Sequence, residues 1–254
     1  MEKSNDESIS LNKYISSTGL CSRREADKMI DDGRITINGD ATRKGNRVFE
    51  GDIVCIDGKP IANNTKSIYI AFNKPMGLVC TTDPNEPDNV IDYIGHDQRL
   101  FPIGRLDKYS EGLLFLTNDG DIVNKILRAG NNHEKEYTVS VKPSINNKFI
   151  KQMSNGLPIL DTVTKRCKVE QISESTFKIV LTQGLNRQIR RMCEYLDYQV
   201  THLMRTRIMN VHLGKLKSGD WRELSKKEME TIQELIANSS KTEEASHDSR
   251  KRKK

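Results

Sequence analysis

Gly104-Arg105-Leu106-Asp107-Lys108-Tyr109-Ser110-Glu111-Gly112 places a carboxylate between two cations in a loop bounded by glycines, and runs directly into the apolar stretch Leu113 to Leu116. Side chains on such a loop are displayed from an anchored edge, where functional groups concentrate. An aspartate held there is a candidate for catalysis. The same spacing also suits a solvated turn, so the loop alone does not decide. A second group is Arg187, Arg190 and Arg191 in Gly184-Leu185-Asn186-Arg187-Gln188-Ile189-Arg190-Arg191-Met192-Cys193. Helical i, i+3 and i+4 spacing gathers the three guanidinium groups on one face, while Ile189, Met192, Cys193 and Leu196 bury another. Like charges so close repel. That leaves a solvated face relieved by Glu194, or a grip on phosphate with one arginine turned inward to hold a carboxylate ionised.

Composition narrows the chemistry. The chain has 254 residues, 35% hydrophobic and 30% charged, leaner and more charged than the usual ~45–50% apolar and ~25% charged. A soluble protein with some unstructured length is expected. No apolar run approaches the ~20 residues a bilayer span needs, and the polar start has no signal-peptide core, so no membrane association and a cytoplasmic location are expected. The five cysteines (Cys21, Cys55, Cys80, Cys167, Cys193) show no CxxC pair, which argues against a disulfide framework or a zinc site. No HExxH, GxxxxGK[ST] or GxGxxG motif occurs, so no metal and no cofactor is predicted, and the chemistry falls to side chains alone. The formal charge of +6 is concentrated: residues 182–222 carry eight basic side chains against three acidic ones. Such a patch fits a polyphosphate partner.

Two domains are expected to position these groups. Residues 11–17 have helical spacing stopped by Gly19, and Ser22-Arg23-Arg24-Glu25 is a capping box opening a second helix with Ala26, Met29 and Ile30 inward. Strands follow at 34–37 and 53–56, with the hairpin signal Asn38-Gly39 between them. This ααβ module spans 8–62, and 63–67 reads as a linker. The larger domain, 68–237, has strand candidates at 68–72, 113–117, 137–141, 166–172, 177–181 and 208–213. Its helix candidates are 121–128, 145–153, 187–196 and 226–236. Strict βαβ alternation is missing, so an α+β fold with a large mixed, mainly antiparallel sheet flanked by helices is expected. Residues 238–254 read as a disordered basic tail.

The stretch LNKYISSTGLCSRREADKMIDDGRITINGD resembles the S4 RNA-binding domain, which implies that Arg23 and Arg24 face structured RNA. GRLDKYSEGLLFLTNDG, HEKEY, GLNRQIRRMCEYL and RTRIMNVHLGKLKSGDWREL resemble, in order and spacing, the ribosomal RNA pseudouridine synthases that carry an S4 domain. The resemblance covers roughly residues 8–237. It implies that Asp107 is the essential nucleophile and that Tyr137 packs on the target base. It also implies that a basic residue of NRQIRR pairs with the nucleophile, Arg190 being favoured over Arg187. Arg105, Leu106, Lys108, Arg187, Gln188, Ile189 and Arg191 are then expected to touch RNA, with Lys74, Arg205 and Arg207 beside them. The expected partner is large-subunit ribosomal RNA, met by a monomer. A transfer RNA anticodon loop, small-subunit ribosomal RNA, or a noncatalytic role in ribosome assembly stay open.

Overall fold

A computed structural model of the chain describes residues 8–62 and 66–239. Residues 63–65 of the expected linker and 240–254 of the expected tail lie outside the described residues. The described residues form two compact units, one of residues 8–62, 66–67 and 97–99, the other of residues 68–96 and 100–239. No helix among the described residues is long and apolar enough to cross a membrane.

The first unit contains β1 (Ile9–Ser10), α1 (Leu11–Ser17), α2 (Arg23–Asp31), β2 (Ile35–Ile37), β3 (Asp40–Ala41), β4 (Arg47–Val48), β5 (Val54–Ile56) and β6 (Lys59–Ile61). The capping box forms as its sequence dictates: the Ser22 hydroxyl accepts from the Glu25 amide, and the Glu25 carboxylate accepts from the Ser22 amide. Leu11, Ile15, Ala26 and Ile30 then pack on Ile35, Val48 and Val54 of the strands. Arg23 and Arg24, in the first turn of α2, are exposed.

The second unit runs β7 (Tyr69–Lys74), α3 (Val90–Ile94), β8 (Phe101–Ile103), β9 (Glu111–Thr117), α4 (Gly120–Leu127), β10 (Lys135–Lys142), α5 (Asn147–Asn155), β11 (Pro158–Ile159), β12 (Thr162–Val163), β13 (Lys168–Gln171), β14 (Thr176–Leu181), α6 (Gln188–Tyr195), β15 (Gln199–Ile208), β16 (Val211–His212), β17 (Trp221–Glu223) and α7 (Lys226–Ile236). Nine strands make one sheet in the order β13-β14-β10-β15-β9-β7-β17, with β8 on β9 and β16 on β15. Among the described residues its pairs are antiparallel except β15 with β9. The fold is therefore α+β with a mixed, mainly antiparallel sheet.

The central strands are covered on both faces, which explains their unbroken apolar runs. Ala71, Leu113 and Phe115 pack on one side with Ile122, Ile126, Ile232 and Ile236 of α4 and α7. Ile70, Phe72, Leu114 and Leu116 pack on the other with Val90, Leu100 and Leu106. Further along the sheet β14 alternates, turning Phe177, Ile179 and Leu181 toward Phe149, Met153 and Met192 of α5 and α6.

The expected strand at 208–213 is corrected. Ile208 instead ends the ten-residue β15, and the chain reverses at Met209, whose φ is 51°, into the short β16. Gln199 to Arg207 lacks an apolar run because polar and apolar side chains share each face, and its pairing with β10 makes it a strand. That pairing carries two bulges, one at Thr201 and one at Thr206. Tyr137 opposes Arg205 while Glu136 opposes Arg207, so Thr206 is an extra residue on β15. Arg205 and Arg207, two positions apart, consequently serve opposite faces of the sheet.

Candidate active site

The loop carrying Asp107 is fixed at both ends by glycine. At Gly104, φ is +80° and a Cβ would come within 2.8 Å of a Leu127 methyl group; at Gly112, φ is +100° and a Cβ would come within 2.4 Å of the Arg205 carbonyl oxygen. Within the loop the Ser110 amide donates to the Asp107 carbonyl at 3.0 Å. From below, the Leu106 amide donates to Cys80 Sγ at 3.4 Å.

Lys74, expected on the RNA-facing surface, is fully buried under this loop. Its ammonium donates to the carbonyls of Pro75 at 2.9 Å, Ser110 at 2.8 Å and Lys108 at 3.5 Å. An ammonium has three donors, so none remains for RNA, and the expectation is corrected: Lys74 ties the end of β7 to the Asp107 loop. Burial lowers its pKa, and nearby Asp107 and Glu111 oppose that shift.

Arg190 reaches the loop from α6. Its Nη2 donates to the Tyr109 carbonyl at 2.8 Å and the Ser110 hydroxyl at 3.1 Å, while its Nε stands 3.8 Å from Asp107 Oδ2 with no hydrogen-bond partner of its own. Burial lowers the guanidinium pKa and Asp107 opposes that shift; an arginine stays charged at neutral pH regardless. Arg187 stands instead 3.9 Å from Glu194. It caps α6 in the left-handed conformation (φ 50°, ψ 33°), which strains a residue with a side chain. Arg191 turns back on Asn186, donating to its carbonyl at 3.1 Å and its side-chain oxygen at 3.3 Å. Gln188 and Ile189 are buried, and Gln188 Oε1 accepts from the Leu185 amide.

These groups surround a cavity of about 370 Å³ lined by Asp107, Tyr137, Arg187, Arg190, Lys135 and Arg205, among others. That size lies within the ~300–1,000 Å³ of small-ligand sites. Arg105 and Arg187 are exposed. Asp107 and Arg190 side chains retain 36% and 13% of their exposure, and Lys135 and Arg205 only 8% and 3%. Tyr137, half-buried, packs against both apolar clusters that meet at β10 and offers an aromatic wall.

Other expected contacts are placed differently. Leu106 is buried. Lys108 pairs with Asp88 at 3.1 Å on the surface. Arg207, expected beside Arg205, is corrected to the far face by the bulge at Thr206, where it pairs with Glu134 at 2.9 Å and Glu136 at 3.7 Å. Lys135 gained no role from its sequence, although its position two residues before Tyr137 on one strand puts both on one face. Burial, and secondarily Arg205, pushes its ammonium down to about 8.

A carboxylate facing a guanidinium, an aromatic wall and a cationic rim suit nucleophilic attack on a planar base carried by a polyphosphate chain. A profile described as RNA pseudouridylate synthase matches residues 68–195, and one described as S4 domain matches residues 10–54. The chain is 54% identical over 237 residues to the dual-specificity RNA pseudouridine synthase RluF of Salmonella typhi, covering 92% of this chain and 82% of that one. The chain belongs to the RNA pseudouridylate synthase family. Ribosomal large subunit pseudouridine synthase B of Bacillus subtilis (strain 168) is 30% identical over 234 residues, covering 89% of this chain and 96% of its own. A crystal structure of a pseudouridylate synthase aligns with a TM-score of 0.65 at 26% identity, covering 88% of this chain and 99% of that one. As an RNA pseudouridine synthase the protein is an isomerase that joins an S4 domain to the synthase fold.

Proposed function

We propose that this synthase isomerises a uridine of large-subunit ribosomal RNA, with Asp107 as the nucleophile, Arg190 steadying its carboxylate and Tyr137 stacking on the extruded base. The observation that carries the reading is the facing of Asp107 and Arg190 at 3.8 Å across a cavity walled by Tyr137. Isomerisation breaks the bond from ribose to N1 and remakes it to C5, with no net redox change, so a carboxylate and a place for the base to turn are sufficient. Taking the base from its stack costs a few kcal/mol, and stacking on an aromatic ring returns about 1–3 kcal/mol. In this reading Arg105 and Arg187, exposed beside the cavity, meet the backbone around the target, and Arg23 and Arg24, exposed in the first turn of α2, meet folded RNA.

The large-subunit target is supported by the name of the Bacillus relative. The dual specificity named for the Salmonella relative favours a second substrate, a transfer RNA anticodon loop. The same reading has the enzyme acting as a cytoplasmic monomer.

Pseudouridine mapping of ribosomal and transfer RNA from cells with and without the protein tests the target. A site lost on deletion and restored by the native chain, but not by Asp107→Asn, is the expected result. Full modification with Asp107→Asn overturns the nucleophile, and an unchanged large-subunit RNA overturns the target.

A further inference from the structure

Lys135 and Arg205 share a sheet face with Tyr137. Lys135 precedes it by two residues on β10, and Arg205 opposes it directly on β15. Both line the cavity and both are more than nine-tenths buried. Their donors are only partly engaged. Arg205 Nε donates to the Leu113 carbonyl at 2.6 Å, while its Nη2 is buried without a hydrogen-bond partner. Lys135 Nζ reaches the His133 carbonyl at 3.2 Å. Neither forms an ion pair among the described residues. A buried donor without an acceptor costs about 1–3 kcal/mol, and more when charged, so the unpartnered Arg205 Nη2, with a second buried cation beside it that makes one hydrogen bond, calls for an oxygen from outside the chain.

We infer that Lys135 and Arg205 form a cationic subsite for the carbonyl oxygens of the extruded uracil ring, and that they hold the negative charge the ring carries once its bond to ribose is broken. The inference rests on the function proposed above. Depth decides between base and phosphate. Arg105 and Arg187, exposed at the rim, are where an RNA backbone can lie, whereas only a flat group entering the cavity comes near donors as buried as these. When C1′–N1 breaks, the electron pair stays on the ring and spreads from N1 onto O2 and, through C6 and C5, onto O4. C1′ is left electron-poor against Asp107. The pair returns when C5 bonds to C1′; C5 then releases its proton and N1 takes one from water, so atoms and charge balance. Preorganised cations at the ring oxygens act only as that charge develops, which lowers the barrier rather than the ground state.

The test compares native enzyme, Lys135→Met and Arg205→Gln in single turnover on one RNA bearing either uridine or 5-fluorouridine at the target, reading disappearance of the original nucleoside. Ring fluorine itself stabilises the departing anion. On uridine RNA each variant is expected to lose about 100-fold in rate, the scale of a removed oxyanion donor. RNA affinity and its salt slope should stay within about twofold, and the rate deficit should shrink about tenfold or more on the fluorinated RNA. Lys135→Met keeps side-chain length and loses a single hydrogen bond, that to the His133 carbonyl, so it carries the test if Arg205→Gln does not fold. An equal deficit on both RNAs, an unchanged rate, or weaker binding with a shallower salt slope overturns the subsite. Native enzyme that leaves the uridine RNA unchanged overturns the proposed function instead.

Discussion

Gly112 and Arg205 are register partners across β9 and β15, the sheet's parallel pair, and their backbones approach so closely that a Cβ on residue 112 would lie 2.4 Å from the Arg205 carbonyl oxygen. Residue 112 ends the Asp107 loop, so the sheet contact and the loop geometry are one constraint. Gly112→Ala is expected to destabilise the second unit by about 2 kcal/mol or more, through the φ of +100° and the forced displacement of β15. Urea unfolding measures the loss. An alanine variant with native stability and activity would show that the strands do not hold each other this tightly.

Lys74 makes a separate prediction, because its ammonium joins the carbonyls of Pro75, Lys108 and Ser110. Lys74→Met fills the volume and leaves those carbonyls without their donor, at about 1–3 kcal/mol each if none finds water. Turnover should fall far more than RNA affinity, since the residue has no free donor to offer RNA. Filter binding beside single-turnover rates separates the two, and an affinity loss matching the rate loss contradicts this placement.

In the S4 domain the expectation concerns salt. Arg23 and Arg24 are exposed at the first turn of α2, where the helix dipole favours an anion. Replacing either by alanine should weaken RNA binding and reduce the slope of log K against log salt by about one. An unchanged slope in both variants assigns RNA docking elsewhere.

Acid stability has a located source. Arg222 holds the Glu228 carboxylate through two hydrogen bonds, and with the Ser225 contacts this pulls its pKa to about 2. The folded pKa is depressed from the ordinary 4.5, so the unfolded chain takes up the proton first as pH falls. The stabilisation is complete above about 4.5 and disappears on descent toward about 2. Melting temperature followed through that window should drop less for Glu228→Gln, which starts lower, than for the native chain.

What the sequence makes visible follows from the range of the forces involved. The α2 capping box and the run Leu113 to Leu116 are local signals, one a reciprocal side-chain to backbone pair and the other burial on both faces, and each yields the expected element. The expectation of a mixed, mainly antiparallel sheet agrees with the architecture found. β15 was hidden because its pattern depends on β10, and α3 and β8 are too short to show a period. Lys74 and Arg207 look like surface cations in sequence. Their surroundings are supplied by residues far along the chain, Ser110 for one and Glu134 with Glu136 for the other. At the cavity, the motif residues Asp107 and Arg190 stand together, while Lys135 is recognisable only once its burial is known.

The extra residue at Thr206 makes strand length itself a determinant of sidedness. Straight pairing with that threonine retained would set Thr206 opposite Glu136 and Arg207 opposite Lys135, on the face that now holds Arg205, while both side chains stayed chemically intact. Away from its bulges, an insertion or deletion of one residue in β15 is therefore graver than most replacements, because it inverts the parity of inward and outward positions. Natural variation in this strand should conserve its residue number more strictly than the identity of its outward-facing side chains.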